Sequence, residues 1–111
     1  MKLQRDDPTD DIDLAVAEAR ARFEREFPAT CTKMQQLLDG SGGDSTALTM
    51  LVTLLHRMAG LGGSIGFAHV SEHARTIEDL LRDHNGGRLD VTAVRQRLEQ
   101  LTQAFEQDRG A

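Results

Sequence analysis

The stretch STALTMLVTLLHRMAGLGGSIGFAHVSEHARTIEDLL, residues 45–81, decides how the whole chain is read. Its large apolar residues recur every three or four positions, the period of an α-helix, and nowhere alternate as those of a half-buried strand do. One stripe is Leu48, Leu51, Leu54 with Leu55, Met58, Leu61 and Ile65; the next is Phe67, Val70, Ala74, Ile77 and Leu80 with Leu81. Glycines clustered from Gly60 to Gly66 separate the two, so the pattern predicts two amphipathic helices joined by a tight turn. Asp44 is placed to cap the first of them.

Outward from this pair, GSGGD (40–44) and HNGGRLD (84–90) are glycine-rich breaks. Before the first break runs the stripe Ile12, Val16, Ala19, Phe23, Phe27, Cys31, Met34, Leu38, in phase across Pro28. It reads as one long helix kinked at Pro28 or as two nearly collinear helices. After the second break Asp90 starts a last helix, with Leu89 and Val94 as a hydrophobic staple and Leu98, Leu101 and Phe105 behind them. Four amphipathic helices with short connections imply an all-α, antiparallel up-down four-helix bundle. Residues 1–8, ending at Pro8, read as a flexible tail and residues 9–108 as one domain.

The composition narrows the function. A length of 111 residues fits one domain, and 39% hydrophobic residues suffice for one core. Tyr and Trp are absent and the net charge is -5, which disfavours nucleic acid and anionic membranes as partners. One cysteine, Cys31, excludes an internal disulfide and suits a reducing compartment. No signal-peptide stretch or membrane-spanning run occurs, so the expectation is a soluble, cytoplasmic monomer. Cys31 lies on the apolar stripe and reads as a core residue.

Successive helical residues rotate by about 100°. His56 then falls roughly opposite the Leu51 stripe and projects into solvent, sharing its face with Thr49, Val52, Thr53, Ala59, Gly60 and Gly63. Each interior glycine costs a helix about 1 kcal/mol relative to alanine. A bare face beside an exposed imidazole therefore suits close approach by another protein, with Val52, Thr53, Ala59, Gly60 and Gly63 as the docking surface. The same glycines would also suit a fraying helix end or a tight helix crossing. Neutral imidazole is a competent nucleophile near pH 7, although a lone exposed histidine is by itself best read as an ordinary surface residue.

HRMAGLGGSIGFAHVSEHARTIE (56–78) resembles the signature of histidine-containing phosphotransfer domains. In that family a histidine is followed by an apolar residue, a lysine and a glycine, then by a second glycine at ten positions and an apolar series closed by glutamate. His56, Met58, Gly60, Gly66, Val70, Ala74, Ile77 and Glu78 match it. The resemblance implies a phosphocarrier, His56 being the phosphorylated residue, that exchanges a phosphoryl group with receiver-domain aspartates or within a hybrid histidine kinase pathway. It implies no ATP site and no cofactor of its own, Mg²⁺ being needed only in the receiver. The family's lysine is Ala59 here, which leaves open a module that binds a receiver or kinase without transferring phosphate. A cation from elsewhere would restore the lysine's role, and pairing of residues 73–77 with 56–60 across Gly66 makes His73 and Arg75 candidates. His69 and His73 have the i, i+4 spacing of metal ligands but lack a convincing third ligand, so no metal is expected.

Overall fold

The computed structural model describes residues 8–41, 45–83 and 89–110. Four helices account for nearly all of them: α1 (Pro8–Ser41), α2 (Ser45–Ser64), α3 (Ala68–Arg82) and α4 (Val91–Arg109). The expected tail, apart from Pro8, and the Asp44 cap lie outside the described residues. Each helix packs on its neighbours in the chain, and α4 closes the ring against α1. The architecture is the up-down bundle that the apolar periodicity predicts.

Pro28 does not divide the first helix. α1 runs through it as one helix, with Thr32 Oγ1 donating to the Pro28 carbonyl at 3.1 Å. At 34 residues it is about 51 Å long by helical rise, the longest of the four helices. Length also explains why its stripe is only partly buried. Ile12 and Val16 are 62% and 40% exposed, and burial begins with half-buried Ala19 and with Phe23. The first turns therefore project past the end of the bundle.

All four phenylalanines of the chain meet at that end. Phe27 stacks on Phe105 at 3.9 Å and Phe23 on Phe67 at 4.8 Å between ring centroids. Below them Met34, Leu38, Leu51, Leu55, Ile77 and Leu101 complete the core. Leu61 and Leu80, expected in the stripes, are exposed. Each sits at the edge of its apolar arc.

The α2–α3 turn has a defined mechanism. Gly66 adopts φ +93°, and the amide of Phe67 reaches back to the Gly62 carbonyl at 2.8 Å. This is a Schellman ending, which needs a left-handed residue that glycine adopts without strain. At α4 the predicted start holds: Asp90 accepts from the Ala93 amide at 3.0 Å, and half-buried Leu89 packs against the core near buried Val94.

Candidate functional site

His56 lies in the second half of α2 with its side chain 74% exposed. It does not stand opposite the residues that the fold buries, whose arc is rotated from the apolar stripe. Buried Leu51, Leu55, Met58, Ala59 and Gly62 centre about 30° round from Leu51, which leaves His56 about 110° from the middle of the buried arc. That is the edge beside α3, and α3 supplies its partner.

The partner is Glu78. Its carboxylate oxygens lie 3.1 and 3.3 Å from His56 Nδ1. Glu78 is itself 8% exposed and takes the Nε and Nη2 of Arg82 on one oxygen, each at 2.9 Å. A buried carboxylate is costly unless paired and hydrogen-bonded, and this one is both. An ionised carboxylate has no proton to give, so Nδ1 carries the hydrogen and Nε2 presents a free lone pair to solvent. The arrangement is that of an oriented nucleophile.

The small-residue face divides in two. A Cβ at Gly60 would meet nothing within 4 Å, and Thr53 and Gly60 are exposed with Val52 half-buried beside them. This part is open surface. Ala59, placed on the same face by the sequence, is 3% exposed. Its carbonyl accepts from Ser71 Oγ at 2.7 Å, and its side chain faces the bundle. It is therefore no docking residue. Gly63 is exposed, but a Cβ there would lie 3.2 Å from Ser71 Oγ. Gly62, buried, lies under Phe67 and Ser71. For Gly62 and Gly63 the tight helix crossing is the reading that the contacts support. The reason is the position of α3, whose seam on α2 runs along Ala59, Gly62 and Gly63.

The same seam separates the two candidate cations. Ser71, Arg75, Glu78 and Arg82 lie within about 60° of one another on α3, and Ser71 and Glu78 both touch α2. Arg75 is thus on the α2 flank, one turn from Glu78, exposed and without an ion pair among the described residues. His73 falls about 200° round from Ser71, on the side where His69 bonds Asp108 of α4. The fold does not bring His73 to His56.

Beyond Gly66 a second polar cluster holds the helix ends. Asp108, 3% exposed, accepts from the amides of His69 (3.3 Å) and Val70 (2.9 Å) and lies 2.7 Å from His69 Nδ1. It caps α3 from α4, since Phe67 at the N-cap has no side chain to do so. Burial alone would raise the carboxyl's pKa, but the Val70 and His69 bonds outweigh it and hold the group below the usual aspartate value. Arg20 donates to the carbonyls of Ile65 (3.0 Å) and Asp108 (3.1 Å) and covers the Phe67 ring at 4.2 Å. His69 is thereby committed to structure, and among the described residues no three His, Cys, Asp or Glu side chains gather to hold a metal. Cys31 is half-buried, and burial pushes its thiol up to about 11. No helix among the described residues is long and apolar enough to cross a membrane.

A family model, that of the Hpt domain, matches residues 18–110. No curated protein and no solved structure matches the chain.

Proposed function

The chain belongs to the Hpt domain family, and on that premise we propose that His56 carries the phosphoryl group. Hpt domains are phosphocarriers rather than enzymes, and they work with receiver domains or histidine kinases in phosphorelays. The observation that carries the assignment is the Glu78 carboxylate on His56 Nδ1, 3.1 Å away, on an imidazole otherwise open to solvent.

The reaction follows from that geometry. A receiver's aspartyl phosphate approaches in line with His56 Nε2. The Nε2 lone pair forms a P–N bond as the P–O bond to the aspartate breaks, and the aspartate leaves with that electron pair. Glu78 accepts the Nδ1 hydrogen throughout, so positive charge on the phosphorylated ring faces a carboxylate instead of bulk solvent. The reverse step, with the aspartate attacking phosphorus, returns the group to a receiver. Mg²⁺ belongs to the receiver's acidic pocket, and this chain contributes the oriented imidazole and an open approach over Val52, Thr53 and Gly60. Arg75 is the cation we assign to the phosphoryl oxygens where the family has lysine, and Gly66 supports the site by fixing the turn. The chain acts in the cytoplasm, where phosphorylated receivers are found.

The test is incubation with phosphorylated receivers followed by intact-mass measurement. We expect one phosphoryl adduct, labile in acid and stable in base, that His56→Gln abolishes without loss of helix content. Continued labelling of His56→Gln refutes the assignment. Receiver binding with no adduct under any donor would identify the non-transferring module instead.

A further inference from the structure

Glu78 holds His56, and Arg82 in turn holds Glu78. Its guanidinium places Nε and Nη2 each 2.9 Å from Glu78 Oε2, the oxygen that lies nearer His56 Nδ1, at 3.1 Å. A cation in the last turn of a helix suits the helix dipole by itself. This one is instead turned back one turn onto a side chain only 11% exposed. Among the described residues Arg82 is the only cation bonded to that carboxylate. Arg75, on the same flank of α3, forms no ion pair among them. Asp79 and Glu72 lie about 100° and 120° round α3 from Glu78, and Arg57 about 100° round α2 from His56, away from α3. Among the described residues α3 packs on α2 and α4 alone, and α4 lies on the other flank, where His69 meets Asp108.

We propose that Arg82 is a positioning residue for phosphoryl acceptance, keeping the His56 hydrogen on Nδ1 and the lone pair on Nε2 by holding Glu78 ionised. The proposal deepens the phosphotransfer reading and rests on it. Its basis is the burial of Glu78. A nearly buried carboxylate without a cation has two ways to lose its uncompensated charge. It can draw a second proton onto the imidazole, whose Nε2 then has no lone pair. It can also take up a proton and donate it to Nδ1, which leaves the ring hydrogen on Nε2. Either change removes the nucleophile while Glu78 and His56 stay in contact. Arg82 opposes both, since its two N–H groups favour the charged carboxylate and offset its pull on a second proton. Each route takes one proton from solvent, so the deficit without Arg82 grows as pH falls. Support of the fold alone has no such signature. Neither has direct contact with a receiver, for which Arg82 is placed by lining one groove with Val52 and Thr53.

Arg82→Met tests this, because it keeps the apolar stem and removes the guanidinium. In nitrogen-15 spectra over a pH series, His56 Nε2 should gain a hydrogen at higher pH in the variant than in the original chain. Single-turnover acceptance from a phosphorylated receiver should fall roughly three- to tenfold near pH 7, the pair being partly exposed. The rate should recover toward the original as pH rises, with the half-saturating receiver concentration unchanged. Arg82→Lys should restore most of the rate, and Arg82→Gln, a donor without charge, should not. With Glu78→Gln already in place Arg82→Met should add nothing, since both act through one carboxylate. A loss equal at every pH, a change confined to the half-saturating concentration, or unchanged spectra and rate each overturn the proposal. If the original chain accepts no phosphoryl group, the phosphotransfer reading itself fails, and the nitrogen spectra still decide whether Arg82 fixes the hydrogen on Nδ1.

Discussion

Replacing Gly60 separates the docking face from the fold. A Cβ there meets nothing within 4 Å, and the residue lies inside α2. Gly60→Ala therefore removes backbone freedom from the unfolded chain without strain and should stabilise the protein by up to about 1 kcal/mol. For a chain of this length that is about 4–8 °C in melting temperature. Gly60→Leu should keep the fold as well, its side chain extending into solvent one turn beyond His56. Phosphoryl transfer should fall steeply all the same. In-line attack needs the reacting atoms about 3–3.5 Å apart, and a 1 Å displacement costs about a hundredfold in rate. Gly63→Ala is the control: its Cβ would sit 3.2 Å from Ser71 Oγ, a hydroxyl already held on the Ala59 carbonyl. That variant should lose most of the gain seen at Gly60, or destabilise, because Ser71 has little room to retreat. Thermal melts by circular dichroism and single-turnover transfer from a phosphorylated receiver read the two effects separately. Unfolding of Gly60→Leu would show the glycine to be a packing residue. A folded Gly60→Leu that transfers at the original rate would place the receiver on another side of His56.

The remaining predictions address the charges. Glu78→Gln should slow transfer roughly ten- to a hundredfold, the range found when the group orienting a metal-bound histidine is removed, and an unchanged rate would show that Nδ1 needs no carboxylate. Arg75→Ala should leave stability within about 0.5 kcal/mol, as for other exposed substitutions, while slowing phosphoryl acceptance or shortening the life of the phosphohistidine; no effect on either removes Arg75 from the site. Asp108→Ala should cost about 2–4 kcal/mol, since it strips the α3 cap and leaves buried donors unpaired. Because the Asp108 carboxyl titrates below its unfolded value, its contribution is present above the ordinary aspartate range and is lost as pH falls through the folded value. The gap between Asp108→Ala and the original protein in denaturant titrations should accordingly narrow in acid, and a gap that widens there would refute the cap's charge.

What the sequence makes legible is what local chemistry decides. Period and break residues locate all four helices, Asp90 caps α4 as its spacing requires, and Gly66 occupies the left-handed turn position. Three features escape because they depend on how helices sit on each other. Asp108 caps a helix to which it does not belong, so no local pattern announces it. The burial of Ala59 follows from the side of α2 that α3 chooses, and a helical wheel measured from Leu51 alone cannot see that choice. Ile12 and Leu61 obey the apolar period but fall where the bundle has ended or the arc has turned away. Glu78 was within reach, since it closes the motif and sits one residue past the stretch that antiparallel pairing sets against His56. What hid it is that a glutamate at the end of an apolar series reads as a solvated edge until the packing buries it.

The turn and the site are therefore one device. His56 precedes Gly66 by ten residues and Glu78 follows it by twelve, so two antiparallel helices leaving a single turn bring them level along the bundle axis. At about 1.5 Å of rise and 100° of rotation per residue, one residue more or less in the turn would shift Glu78 by half a hydrogen-bond length and rotate it off the seam. The Schellman ending fixes that count, because only a left-handed Gly66 lets the Phe67 amide reach the Gly62 carbonyl. Arg20 and Asp108 then clamp the same junction from α1 and α4. The imidazole stands on an exposed face with few neighbours of its own. Its orientation is set about two and a half turns away, where the helix ends are held most tightly.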